Sequence, residues 1–157
     1  MQYVALEFDH LIGQHAIRWV VLECAGVGRV CGGPIALPPR RDVAYFLDPQ
    51  SAEIDAMEFT DFKNRNGASD DAVLRKVREG GEPSRHHAYP WDHHIFSGHI
   101  SWACLEWSGS EQISAPRLDV AYFVHPESAE SDAKAFSWLR DQRLRGKESG
   151  QVMGVSA

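Results

Sequence analysis

A chain of 157 residues with 43% hydrophobic and 24% charged residues can bury one ordinary core and has the composition of neither a disordered nor a fibrous protein. Its formal charge of -6 opposes a phosphate backbone, so nucleic acid is not an expected partner. Cys24, Cys31 and Cys104 show no Cys-x-x-Cys spacing, which excludes a zinc ribbon or disulfide framework and fits a reducing, cytoplasmic setting; no apolar run reaches the length of a membrane span, and Glu7 and Asp9 fall where a signal peptide would be apolar.

In chain order, "QYVALEF" alternates Val4, Leu6 and Phe8 against Tyr3, Ala5 and Glu7, the pattern of a half-buried strand. "IRWVVLEC" from Ile17 is apolar on both faces and reads as a buried strand. The Gly- and Pro-rich "GVGRVCGGPIALPP" reads as a loop. "DVAYFL" is again a strand, and Ser51 is placed to cap a helix whose first turn carries Glu53 and Asp55. From Ser69, "SDDAVLRKVREGG" predicts a short helix stopped by glycines.

Five histidines then crowd "HHAYPWDHHIFSGH", between His86 and His99. Imidazoles at this density suit metal ligation or proton exchange; the plainer reading is a polar connector between two lobes. "ISWACLEW" and "DVAYFV" repeat the strand patterns, and Ser128 heads a helix with Ala129, Ala133, Phe136 and Leu139 as its inward stripe. The small, polar tail from Gly146 is expected to fray, and five Trp are expected to contribute heavily to the core.

The chain says much the same thing twice. Pro39–Phe59 and Pro116–Phe136, 77 residues apart, are identical at 14 of 21 columns, and upstream of a six-residue difference the offset becomes 83, pairing "FDHLI" from Phe8 with "WDHHI" from Trp91. The expectation is an α+β fold of tandem-duplicated β-β-α units about a pseudo-twofold axis, with a mostly antiparallel sheet and helices on one face. Its parts are a first lobe at 1–66, a linker with a short helix at 67–90, a second lobe at 91–145 and a flexible tail at 146–157, all within one compact domain. Whether the sheet is continuous across the axis stays open at this stage.

Convergence of the copies would bring His10, His93 and His99 together with Glu23 and Glu106 as candidate metal ligands for a divalent transition cation. Asp9 and Asp92 are candidates for orienting such ligands or for binding, alongside Trp19 and Trp102. The bland alternative for Glu23 and Glu106 is an exposed strand end. Tyr45 and Tyr122 read as core residues with satisfied hydroxyls, and Asp42 and Asp119 as turn formers before strands.

"HIS" at His99 resembles the His-x-Ser/Thr element of two-histidine phosphoesterases, whose duplicated lobes each supply one; the first copy has "AIR" in those columns, with His15 displaced by one residue. The tandem "FDH" and "WDH" are loosely similar to vicinal-oxygen-chelate enzymes, where paired modules surround a metal held by His and Glu. In that family a helix separates the two ligand strands, and only 12 residues lie between His10 and Glu23. The functional expectation is a small binding or interaction protein that recognises a protein or small ligand through its lobes, as a monomer or homodimer. The alternative is a metal- or His-dependent small hydrolase with its site at the pseudo-twofold cleft.

Overall fold

The computed structural model describes residues 2–12, 15–66, 75, 86–95, 98–106 and 118–156. The elements are β1 (Gln2–Ile12), β2 (His15–Val30), β3 (Gly33–Phe46), α1 (Ala52–Asn66), β4 (His86–Ile95), β5 (Gly98–Glu106), β6 (Leu118–Phe123) and α2 (Ala129–Ser156). The six strands form one sheet in the order β1-β2-β3-β6-β5-β4, and every neighbouring pair is antiparallel. This is an α+β fold with two helices packed on a continuous sheet. The join lies between β3 and β6, where Tyr45 stands opposite Tyr122, Ala44 opposite Phe123 and Phe46 opposite Ala121.

Both "DVAYF" segments are strand, and alternation along them serves two apolar layers. Val43, Phe46, Val120 and Phe123 join Phe59 of α1 and Phe136 of α2 in the first layer. Tyr45 and Tyr122 belong to the second, with Val4, Ile17, Val20, Leu22, Ile100, Ala103 and Leu105, and among the described residues no helical one enters it. The first layer centres on four phenylalanines: Phe46 lies 5.1 Å from Phe136 and Phe59 lies 5.7 Å from Phe123, both edge-on. Such edge-on pairs add about 0.5–1.5 kcal/mol each beyond the area they bury. Trp19 and Trp102, expected in the core, are only partly buried at its margin.

Two further expectations change. The Gly- and Pro-rich stretch read as a loop is a hairpin: β2 runs on to Val30, which pairs with Gly33 across the two-residue turn Cys31–Gly32. Gly33 has φ = 118°, a conformation that suits a residue without Cβ, so the glycines close a tight hairpin instead of a long loop. The histidine-rich stretch read as a polar connector is β4, so strand structure begins at His86, within the segment assigned to the linker. Three strands therefore precede α1 and three more precede α2 among the described residues, where two were expected before each.

The helix stripe falls as expected: Ala129, Ala133 and Phe136 are buried, and Leu139 packs against Phe62 and Ala135. α2 continues to Ser156, taking in the stretch from Gly146 that composition marks for fraying; a helix already nucleated gains a hydrogen bond for each residue it adds. The short helix expected from Ser69 lies outside the described residues, apart from the helical Arg75.

Candidate functional site

The positions of the sequence candidates follow from strand register. His10 pairs with Ile17 near one end of β2, whereas Glu23 pairs with Tyr3 near the other, six residues or about 20 Å away. His93 and Glu106 are separated in the same way along β5, opposite Ile100 and His86 respectively. The set His10, His93, His99, Glu23 and Glu106 is therefore not brought together. His10 stacks on Phe8, with centroids 5.4 Å apart, and His93 stacks on Trp91 at 4.9 Å. Asp9 is exposed, and Lys134 Nζ sits 5.6 Å from the centre of the Trp102 ring.

Glu23 and Glu106 are not exposed strand ends. Tyr3 donates its hydroxyl to Glu23 Oε2 at 3.1 Å, and His125 Nε2 stands 3.7 Å from the same oxygen. Glu106 Oε1 lies 3.4 Å from Nε2 of the fully buried His86. These contacts belong to a buried polar layer that links the helices to each other and to the outer strands.

Lys63 of α1 donates to Asp132 of α2 at 2.9 Å. In the opposite sense, Arg140 of α2 pairs with Asp55 of α1 and reaches Asp48 at 2.9 Å. Ser51 donates to Asp55 at 3.0 Å and Ser128 to Asp132 at 2.8 Å. Arg140 Nε also donates to His86 Nε2 at 2.7 Å, which requires a lone pair there; Nδ1 then carries the proton and donates to Asp141 at 2.8 Å. Burial pushes the Asp132 carboxyl up even with Lys63 beside it. The Lys63–Asp132 and Arg140–Asp55 pairs run between the helices in opposite senses, and the layer's role is to hold the helices in place.

The opposite side of the sheet is different. A cleft of about 730 Å³ is lined by Arg40, Arg41, Asp42, Tyr45, His99, Ser101, Val124 and Pro126. Tyr45 and Val124 place it on the second apolar layer, which holds no helical residue among those described. Its floor is rigid: Tyr45 donates to the carboxylate of Asp42, and both belong to β3 at the centre of the sheet. Its upper edge is cationic, because Arg40 and Arg41 are both exposed. Around Trp91, a smaller cavity of about 160 Å³ is lined by Tyr89, Pro90, Ala103, Leu105 and Asp119.

At one end of the larger cleft, His99 belongs to a second grouping. Asp92, His94 and His99 each offer a donor atom, and these atoms lie within 4.8 Å of one another; among the described residues they form the one such group of His, Cys, Asp or Glu. His99 Nε2 is hydrogen-bonded to Asp92 Oδ1, and the hydrogen bond and charge of His99 hold the Asp92 carboxyl below the ordinary carboxylate range. The His94 and His99 ring centroids are 4.7 Å apart. Sequence reasoning had named His99 and Asp92 and missed His94; the missing signal was the hairpin register, which sets His94 opposite His99 only once β4 is read as a strand.

Set beside protein-family models, curated proteins and solved structures, the chain matches none of them.

Proposed function

We propose that the protein is a ligand-binding module in which the sheet face opposite α1 and α2 takes a small molecule with an anionic group, a carboxylate or a phosphate. The observation that carries this reading is the 730 Å³ cleft lined by the exposed Arg40 and Arg41 together with Tyr45, Ser101 and His99. Its volume is that of a small-molecule pocket, and polar groups that converge on it are the usual means of orienting a ligand. Arginine presents donors in a planar fork that fits carboxylate and phosphate oxygens, so two adjacent arginines on a chain of net charge -6 favour an anion at this place.

The same reading has the two β-β-β-α units descend from one unit copied in tandem. What supports it is the 14 of 21 identities together with like contacts at matching positions, the pairs Phe46 and Phe123, Phe59 and Phe136, and Asp42–Tyr45 and Asp119–Tyr122. Copying supplies a second wall to a sheet face that one unit alone would leave flat.

The test is an NMR titration of isotope-labelled protein with inorganic phosphate and with succinate. The expected result is a saturable set of shifts confined to Arg41, Tyr45, Ser101 and their neighbours for at least one probe, abolished by Arg41→Ala. Absence of saturable shifts at the cleft for both probes rejects the reading.

A further inference from the structure

The β4–β5 hairpin brings three donor side chains to one patch of surface. His94 and His99 are direct cross-strand partners, so their side chains project from the same face of the ladder. Asp92 lies two residues before His94, inside the irregularity between Pro90 and His93, where the strand bends and its side chain comes to the same patch. All three are exposed, and their donor atoms lie within 4.8 Å. Three ligands at about 2.1 Å from one ion stand roughly 3–3.5 Å apart, a distance that small rotations of exposed side chains reach.

The hairpin does not need these residues in order to fold. In the first unit the corresponding positions, at the offset of 83, are Asp9, Leu11 and Ala16, and Leu11 pairs with Ala16 as His94 pairs with His99. A leucine and an alanine close the same turn, so the two imidazoles are an addition to the scaffold. They stand beside the one carboxylate retained from the pattern, at the end of the cleft that His99 lines.

We propose that Asp92, His94 and His99 form a binding site for a divalent transition cation of the zinc class. Two imidazoles and a carboxylate suit zinc, cobalt or iron and leave coordination positions open. The ion carries a net charge of about +1 after the carboxylate is counted, and an anionic group held by Arg40 and Arg41 is placed to complete its shell. That last step rests on the cleft reading above; the cation site itself does not.

The experiment is a titration of protein made without a histidine tag with Co(II) alone, followed by its visible absorption bands. One equivalent is expected to bind to the wild type, and His94→Ala and His99→Ala are each expected to weaken binding by at least about 100-fold, more than the loss of an orienting partner costs. His10→Ala and His93→Ala are controls expected to remain within about twofold of wild type, and thermal melts of the metal-free variants establish that each is folded. No stoichiometric Co(II) binding, or binding unchanged in both the His94 and His99 variants, overturns the proposal. A second arm adds inorganic phosphate to the Co(II) protein and to its Arg41→Ala variant, expecting a change in the bands for the first alone. Co(II) binding with no phosphate response there and no cleft shifts by NMR retains the cation site and rejects the cleft reading, whereas cleft shifts without Co(II) binding do the reverse.

Discussion

Tyr45 and Tyr122 stand directly opposite one another at the centre of the sheet, and each donates its hydroxyl to the aspartate three residues earlier on its own strand, Tyr122 to Asp119 at 2.5 Å and Tyr45 to Asp42. Each ring is also covered from an outer strand, Tyr45 by Phe8 at 6.2 Å and Tyr122 by Trp91 at 4.7 Å. The pairing buries two rings where β3 meets β6 and ties both hydroxyls to carboxylates, so the aspartates act as acceptors within the sheet instead of turn formers before it.

Removing either hydroxyl deletes a hydrogen bond to a charged acceptor, which is worth about 1.5–3 kcal/mol. Tyr45→Phe and Tyr122→Phe are each expected to lower stability by that amount in urea denaturation, with an unchanged m-value. Losses under about 0.5 kcal/mol in both would mean that water replaces the hydroxyls without penalty.

The reciprocal pairs Lys63–Asp132 and Arg140–Asp55 give a second prediction. Lys63 and Asp132 are both almost fully buried, so Lys63→Met leaves a carboxylate without its cation in an apolar layer, at a cost of about 3–5 kcal/mol near neutral pH. Burial already raises the Asp132 pKa, and loss of Lys63 raises it further. For a carboxyl raised on folding, the favourable contribution is complete below the unfolded value of 3.8 and is lost as pH rises through the folded value. The variant is therefore expected to be least penalised near pH 4 and progressively more so toward pH 8, measured by urea unfolding across that range. A penalty independent of pH would show that Asp132 does not take up a proton.

Much of this architecture is legible in the sequence because the strands and helices carry it in apolar periodicity, which burial enforces. "DVAYF" reads as a strand twice, and Phe136 reads as inward. The polar layer is not legible, because its partners are far apart in sequence and differ between the two similar stretches of sequence. Tyr3 and His86 occupy matching positions with unlike chemistry, Lys63 matches Arg140, and Asn64, which donates to the Tyr3 carbonyl at 3.0 Å, matches Asp141. Asp55 and Asp132 look like ordinary acidic residues of a helix first turn, and only the crossing of the helices turns them into ion-pair partners. The site suffered from one misread element: with β4 taken as a connector, nothing in the sequence sets His94 opposite His99.

Asp48 gives a pH effect of opposite sign to that of Asp132. Burial raises its pKa, but the Gln50 amide at 3.0 Å, Arg140 at 2.9 Å and Ser51 outweigh this and hold it below 3.8. A carboxyl lowered on folding contributes stability above its unfolded value and loses it as pH falls through the folded one. At the matching position His125 Nδ1 accepts the Glu127 amide at 3.2 Å, so the turn itself needs an acceptor and not a charge. Asp48→Asn is accordingly expected to keep the turn and to lose only the charge interaction. The stability gap between wild type and variant should stay constant above about pH 5 and close below the ordinary 3.8, as read by thermal melts in low salt; a gap that widens on acidification would reverse the sign.

The three thiols should separate cleanly by reactivity. Cys31 is exposed at the hairpin turn, whereas Cys24 and Cys104 are buried. Burial pushes the Cys104 thiol up to about 12, so at pH 8 only about one in ten thousand is ionised, and the thiolate is the reactive form. The hydroxyl of Ser137, 3.1 Å from the Cys104 sulfur, acts in the opposite sense and lowers the thiol pKa, but burial outweighs it. An aromatic disulfide reagent is expected to titrate one thiol rapidly in the native protein and all three in denaturant, and Cys31→Ser should abolish the rapid phase. Fast reaction of Cys104 in the native state would mean that α2 lifts from β5 far more often than its packing implies.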